Sequence, residues 1–234
     1  MIEIKSLLQY PQDLIALDEV GRSPLSGPVV IGAVKLSISD PKSLISLIRF
    51  LKRQGIKDSK LLSTERRQEL LANLGIFQQP FRQIGEVNLK GFVLKFVTWE
   101  MDHTVIDSEN ILAASLRGMK EAALSLSAED KSQTTLLIDG PFKLRWENGS
   151  CFREVSIIRG DLKSPLIALA AIIAKEKRDE LMREMHILYP HYGFNTNVGY
   201  PTRVHREAIA EFGPCPIHRR SFNKVKEFIA VTEE

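Results

Sequence analysis

Cysteine is nearly missing from this 234-residue chain, with Cys151 and Cys215 the only two. They stand at no disulfide-framework or metal-ligand spacing. The chain therefore excludes a disulfide scaffold, and two free thiols in a reducing, cytoplasmic setting are expected. There are five histidines, and no two of them stand at metal-ligand spacing with a cysteine partner, so no zinc site is expected. Long apolar runs are also missing. The longest, residues 165–174, is far short of the roughly 20 residues that cross a bilayer. The opening Met-Ile-Glu-Ile-Lys has no apolar stretch of the kind a secretory signal needs, so no membrane partner is expected. There are no repeats and no low-complexity tract. Charge of one sign is weak as well: 32 Lys/Arg against 29 Asp/Glu leave +3, which permits an anionic partner without requiring one. With no coiled-coil pattern or large exposed apolar stripe, a monomer is expected.

What the chain does have is 44% hydrophobic residues, enough for one large domain or a domain with an appendage. Residues 14–35 organise the rest. An apolar run carries the adjacent acids Asp18 and Glu19, then a turn rich in Gly, Ser and Pro holds Arg22, and a second apolar run starts at Val29. The pattern predicts strand, charged tip, turn, strand. Two acids beside a glycine turn suit a divalent cation next to a backbone that a ligand can approach closely. Taken alone, an ordinary strand end with solvated acids explains the stretch equally well.

Strands are expected at residues 14–17, 29–36, 81–87, 134–138 and 155–158. Helices are expected at 41–51, at 63–74 with Ser63 as N-cap, at 106–126 and at about 164–186. Two short helices should flank 213–217. Strands alternating with helices after a hairpin predict an α/β domain with a mixed sheet over residues 1–186, and a helical appendage over 187–234.

Three apolar runs lead into acid: Asp18-Glu19, Asp139 and Asp161, each next to or within three residues of a glycine. Strand tips on one edge of an open sheet lie near one another, so these carboxylates can converge. Clustered carboxylates repel, and a divalent cation relieves the repulsion. Oxygen-only ligands favour Mg²⁺ or Mn²⁺ over Zn²⁺, and a two-ion carboxylate site suits phosphoryl transfer. Between Gly199 and Lys226 stand Arg203, Arg206, Arg219, Arg220, Lys224 and Lys226 against only Glu207 and Glu211. A solvated helix face accounts for that charge. The neighbouring Tyr189, Tyr192, Phe194 and Tyr200 add what a nucleic-acid groove needs, rings for sugar and base beside cations for phosphate.

At this point the residues match a known pattern. Asp18-Glu19-Val20-Gly21-Arg22 with Pro24-Leu25 and Gly27-Pro28-Val29-Val30 resembles the opening signature of the bacterial ribonuclease HII family, the type 2 ribonucleases H. The family's order continues through Lys57-Asp58-Ser59-Lys60 with Leu62-Ser63, Asn110-Ile111-Leu112, Leu137-Ile138-Asp139-Gly140, Gly160-Asp161 with Ile173-Ala174-Lys175 and Arg178-Asp179, Tyr192-Gly193-Phe194, Gly199-Tyr200-Pro201-Thr202 with His205, and His218-Arg219-Arg220-Ser221-Phe222. The resemblance implies a ribonuclease H-like sheet with a C-terminal helical extension that binds substrate. It implies cleavage of the RNA strand of RNA–DNA hybrids and nicking 5′ to ribonucleotides embedded in duplex DNA, with Mg²⁺ or Mn²⁺, leaving 5′-phosphate and 3′-hydroxyl ends. By position, Asp18, Glu19, Asp139 and Asp161 fall on the family's catalytic carboxylates. Gly21-Arg22-Ser23 falls on the turn that reads the ribose 2′-hydroxyl. Tyr200 falls on the tyrosine that packs on the following deoxyribose, and Lys60 falls on a phosphate contact. Arg219 is expected to contact phosphate as well.

Departures from the family pattern cluster around the substrate. Ser23 replaces the second glycine of Gly-Arg-Gly, Ala171 replaces a serine, and Val198 replaces a lysine. None removes a carboxylate. A weakened or re-specialised hybrid-binding relative, a binder without catalysis, and another metal-dependent phosphotransferase such as a junction resolvase are the competing readings. Retention of all four acids opposes the binder, and the Gly-Arg turn with Tyr200 opposes the phosphotransferase.

Overall fold

Continuous burial along the first two strands, on both faces, puts them at the centre of the sheet. The computed structural model describes residues 13–38, 41–56, 59–127, 131–144, 146 and 152–229. It places β1 at Asp13–Val20 and β2 at Val29–Ser37, paired antiparallel with Asp18 opposite Gly32. Four more strands follow: β3 (Gly85–Leu89), β4 (Phe92–Met101), β5 (Thr134–Asp139) and β6 (Arg153–Ile157). The sheet order is β3-β4-β2-β1-β5-β6, with β1, β5 and β6 parallel and the rest antiparallel. This is the mixed α/β architecture expected. Leu17 pairs with Ile138, so Asp18 and Asp139 follow side by side at the C-terminal ends of two adjacent parallel strands.

The two faces of β1 feed two cores. Leu14 and Ala16 join a cluster with α1 (Pro41–Gln54), α2 (Thr64–Asn73) and α5 (Pro165–Leu188). Ile15 and Leu17 join a cluster on the opposite face with α3 (His103–Glu109) and α4 (Ile111–Leu126). α5 lies unusually close to the sheet because Gly32 has no side chain. A Cβ there would stand 2.1 Å from the Ala170 carbonyl oxygen. This contact brings the buried half of α5 alongside Asp18.

Two expected elements need correction, and one strand is additional. The helix expected over 106–126 is two helices, broken at Asn110. That residue adopts a left-handed φ of 74° and turns its side chain to accept from the Leu112 and Ala113 amides. The strand expected at 81–87 begins only at Gly85. β4 was not expected at all, although Phe92, Leu94 and Phe96 are buried between exposed Val93 and Lys95. Its hairpin turn is Lys90-Gly91, both at positive φ, a type I′ geometry usually marked by Asn-Gly.

In the charged half of α5, Glu176 and Asp179 are buried through an ion network. Arg67 of α2 donates to Glu176 at 3.2 Å, to Asp179 at 2.7 Å, and to the Leu62 carbonyl at 2.9 Å. Lys175 reaches Asp179 at 2.5 Å. Removing one member strands the others in low dielectric. Arg67→Ala should therefore cost roughly 3–5 kcal/mol in urea unfolding.

Beyond the sheet, α6 (Arg203–Phe212) and α7 (Asn223–Ile229) pack around Tyr192, Phe194, Ile209 and Val225. This third cluster also takes in Leu25 from the turn after β1, so the C-terminal segment is built onto that turn. Among the described residues no helix is long and apolar enough to cross a membrane.

Candidate active site

A cleft of about 470 Å³ opens off the ends of β1 and β5. Adjacent strand residues point to opposite faces, yet Asp18, Glu19 and Val20, the last three residues of β1, all line it. Asp139 enters from the end of β5. Asp161 is not at a strand tip as expected: β6 ends at Ile157, and Asp161 sits in the helical turn Gly160–Lys163 that follows. Gly21, Arg22, Ser23, Lys60 and Tyr200 line the same cleft, and α5 contributes Ala171 and Lys175. All four carboxylates and every expected substrate residue except Arg219 are thus on one surface. Lys57 and Asp58, which share the Lys60 motif, lie outside the described residues, as does Cys151.

Each carboxylate has one oxygen held locally. Asp18 Oδ1 accepts the Glu19 amide at 2.7 Å, and Asp139 Oδ1 accepts the Gly160 amide at 2.6 Å. Asp161 Oδ1 accepts the Leu162 amide at 3.0 Å, and Glu19 Oε1 accepts Arg22 Nη1 at 3.4 Å. Burial raises Asp18 well above the usual carboxylate range, and the charges of Glu19, Asp139 and Asp161 add to the rise. Burial also lifts Glu19 to about 7, with Arg22 opposing and Asp139 reinforcing. These groups feel one another's charge, and Arg22 and Lys60 offset only part of the rise at Glu19. Among the described residues no three His, Cys, Asp or Glu side chains are drawn together closely enough to hold a metal ion. The cleft is an open set of oxygen donors whose mutual repulsion a cation would relieve. That donor chemistry fits Mg²⁺ or Mn²⁺.

Two expectations for the C-terminal segment are corrected. Arg219 has no exposed surface and donates to the carbonyls of Gly21 (2.6 Å), Arg22 (3.0 Å) and Gly27 (2.9 Å). A guanidinium so enclosed touches no phosphate, and it supports the turn from behind. Tyr192 and Phe194, read as groove aromatics, are core residues stacked on each other. Tyr200 is the aromatic ring that reaches the cleft.

Lys175 and Arg178 were missed as site residues. Lys175 ends the apolar stretch of α5 four residues after Ala171, which puts both on one helix face. That spacing was the available signal. Arg178, matched within a family motif but given no role there, is fully buried, and its donors go to the Pro28, Ser26 and Val198 carbonyls. Val198, in place of the family lysine, adopts a left-handed φ of 42°, a strained conformation for a β-branched residue. Ser23 is not among the positive-φ residues, whereas Gly21 is, at 98°. The backbone at position 23 is therefore one that serine adopts without strain.

Tyr200 is held by a histidine pair. The Cys215 amide donates to His218 Nδ1 at 2.9 Å, so His218 carries its proton on Nε2 and donates it to His205 Nε2 at 3.0 Å. His205 then donates from Nδ1 to the Tyr200 carbonyl at 2.9 Å. The two acceptor roles in this chain, at His218 Nδ1 and His205 Nε2, require neutral rings. Desolvation, with His205 adding to it, pulls His218 down to about 4, and burial lowers His205 too. The native pair stays neutral where the unfolded chain, with histidine near 6.5, takes up protons. The stabilisation is complete above about pH 6.5 and is lost as pH falls toward 4, on the order of 3 kcal/mol for His218. Asp18 and Glu19, raised in the folded state, change stability in the opposite direction over part of that window. The test is therefore a difference: the stability gap between wild type and His218→Asn should shrink between pH 7 and pH 4.5 in urea titrations, and a constant gap would contradict it.

A family model described as Ribonuclease HII matches residues 15–225. A protein of Desulfotalea psychrophila named Ribonuclease HII is 41% identical over 231 residues, covering 98% of this chain and 89% of that one. The crystal structure of ribonuclease H2 from Pyrococcus horikoshii superposes with a TM-score of 0.68 at 21% identity, over 95% of this chain and 99% of that chain. Bst-RNase HIII in complex with Mn²⁺ superposes with a TM-score of 0.59 at 17% identity, over 96% and 72% of the two chains. At such identities the two structures establish the shared fold.

Proposed function

The chain belongs to the ribonuclease HII family, ribonuclease H endonucleases that depend on a divalent cation, and from that premise we propose that it cuts the RNA strand of RNA–DNA hybrids and nicks duplex DNA 5′ to a single embedded ribonucleotide. The observation that carries this reading is the sharing of one cleft by the four carboxylates, the Gly21–Ser23 turn and Tyr200.

Asp18, Glu19, Asp139 and Asp161 are the residues that would hold Mg²⁺ or Mn²⁺, and Mn²⁺ is the ion bound in the related Bst-RNase HIII structure. Bound in pairs, such ions lower the pKa of an attacking water and stabilise the departing oxygen. The water oxygen ends on phosphorus and the P–O3′ bond breaks, so a 5′-phosphate and a 3′-hydroxyl result. Gly21-Arg22-Ser23 presents main chain to the ribose, where the 2′-hydroxyl separates RNA from DNA. The Tyr200 ring packs on the next sugar, and Lys60 takes a phosphate. The segment from residue 187 onward serves as the substrate-binding extension, supporting both the turn and Tyr200.

Ser23 motivates the reading of a weakened relative. Its exposed position and ordinary backbone do not favour that reading. Three duplexes test the proposal in Mg²⁺, in Mn²⁺ and in chelator: a hybrid, a DNA duplex with one ribonucleotide, and all-DNA. Cutting of the first two with either metal, and of none in chelator, is expected. Ser23→Gly should leave the ratio of the two rates unchanged. Cleavage of the all-DNA duplex would favour a different phosphodiesterase, and a large gain at single ribonucleotides in Ser23→Gly would favour the weakened relative.

A further inference from the structure

The turn between β1 and β2 is anchored on two buried arginines whose described hydrogen bonds all go to main-chain carbonyls. Arg178 holds the later part of the turn through Ser26 and Pro28. Arg219 holds the part that lines the cleft. Two of its three bonds, at 2.6 and 3.0 Å, go to the carbonyls of Gly21 and Arg22, and its guanidinium lies over the Phe222 ring on the far side of the chain. The Arg219 amide in turn donates to the Leu25 carbonyl at 2.8 Å, so main chain and side chain grip the same turn.

The consequence follows from the planarity of the peptide. In a trans peptide, the carbonyl of one residue and the N–H of the next point in opposite directions. Drawing the Gly21 and Arg22 carbonyls inward onto Arg219 turns the N–H groups of Arg22 and Ser23 outward, toward the cleft that these residues line. Among the described residues neither N–H donates to a protein acceptor. A cation on the carbonyl side also polarises each peptide and makes its N–H a stronger donor.

We propose that Arg219 is a positioning residue for ribose selection: it orients the N–H groups of Arg22 and Ser23 as a donor pair for the 2′-oxygen of the ribonucleotide. This rests on the functional reading above. Deoxyribose offers no acceptor at that place, so the interaction contributes to binding of the ribonucleotide duplex and not to binding of the all-DNA duplex. An arginine that only stabilised the fold would affect both alike.

The test uses the full chain in Mg²⁺. The KM for a duplex with one ribonucleotide is measured beside the inhibition constant of the same sequence as all-DNA. In wild type the KM should be clearly the lower. Arg219→Met should raise KM about tenfold, as for loss of charge-assisted hydrogen bonding, and leave the inhibition constant unchanged. Arg219→Lys, which keeps a cation and donors without the planar fork, should restore part of the difference. It carries the same comparison if Arg219→Met does not fold. Arg178→Lys, whose bonds fall elsewhere in the turn, serves as the measure of general loosening and should move both constants together. Equal changes in KM and inhibition constant for the Arg219 variants, or no change in either, overturn the inference while the functional reading stands. A wild-type chain whose two constants are equal overturns both.

Discussion

Asp18→Asn and Asp139→Asn should each lose cleavage by at least about 10³-fold while remaining folded. The amide keeps the size of the side chain and an oxygen for the hydrogen bond each makes, to the Glu19 amide and to the Gly160 amide. What it removes is charge. Asp18 is buried and is repelled by Glu19, Asp139 and Asp161, so its ionised form costs stability in the free protein. Asp18→Asn should therefore melt no lower than wild type. Relief of about 1 kcal/mol would raise Tm by roughly 2–4 °C in a chain of this size. Lost activity with retained or gained stability is the signature of a carboxylate kept for a cation. A variant that nicked at the wild-type rate in Mg²⁺ would remove the assignment, and one that lost both activity and fold would make the residue structural.

Gly21→Ala should damage both fold and function. A Cβ at Gly21 would stand 2.3 Å from Arg178 Nε and 2.8 Å from its Cδ, at a φ of 98°. The left-handed backbone penalises alanine by itself, and the clash drives Arg178 off the carbonyls of Ser26, Pro28 and Val198. The expected cost is roughly 2–4 kcal/mol in unfolding. A misplaced turn should also cost about 10² in kcat/KM on a single-ribonucleotide duplex. Gly91→Ala isolates the backbone part. Its φ of 85° is similar, but nothing lies within 4 Å of the added methyl. It should cost on the order of 1 kcal/mol and leave kcat/KM unchanged. Equal losses in the two variants would show that the Arg178 contact does not matter.

The carboxylates were readable in the chain because acids interrupting apolar strands are chemically out of place, and parallel strands bring such tips together. The turn was readable from its glycines. What stayed hidden depends on where side chains go after the chain has folded. Arg219 reads as one more cation in a basic segment, and only the packed structure shows its guanidinium enclosed behind the turn. Tyr192 and Phe194 have the composition of a stacking platform, but α6 and α7 bury them in the third core. The break at Asn110 escaped because helical periodicity in 106–126 continues across it, and the left-handed residue is an asparagine rather than a glycine. β4 escaped because its turn is Lys-Gly, although its alternation is regular.

The cut position on a DNA duplex carrying one ribonucleotide tests the central claim most directly. With Mg²⁺ or Mn²⁺, a single nick on the 5′ side of the ribonucleotide is expected, leaving a 3′-hydroxyl on the upstream strand and a 5′-phosphate on the ribonucleotide itself. The nick should be absent in chelator and in Asp139→Asn. A nick on the 3′ side, a cyclic phosphate end, or cutting that persists without metal would contradict an account in which four carboxylates and the Gly21–Ser23 turn act together on the ribonucleotide.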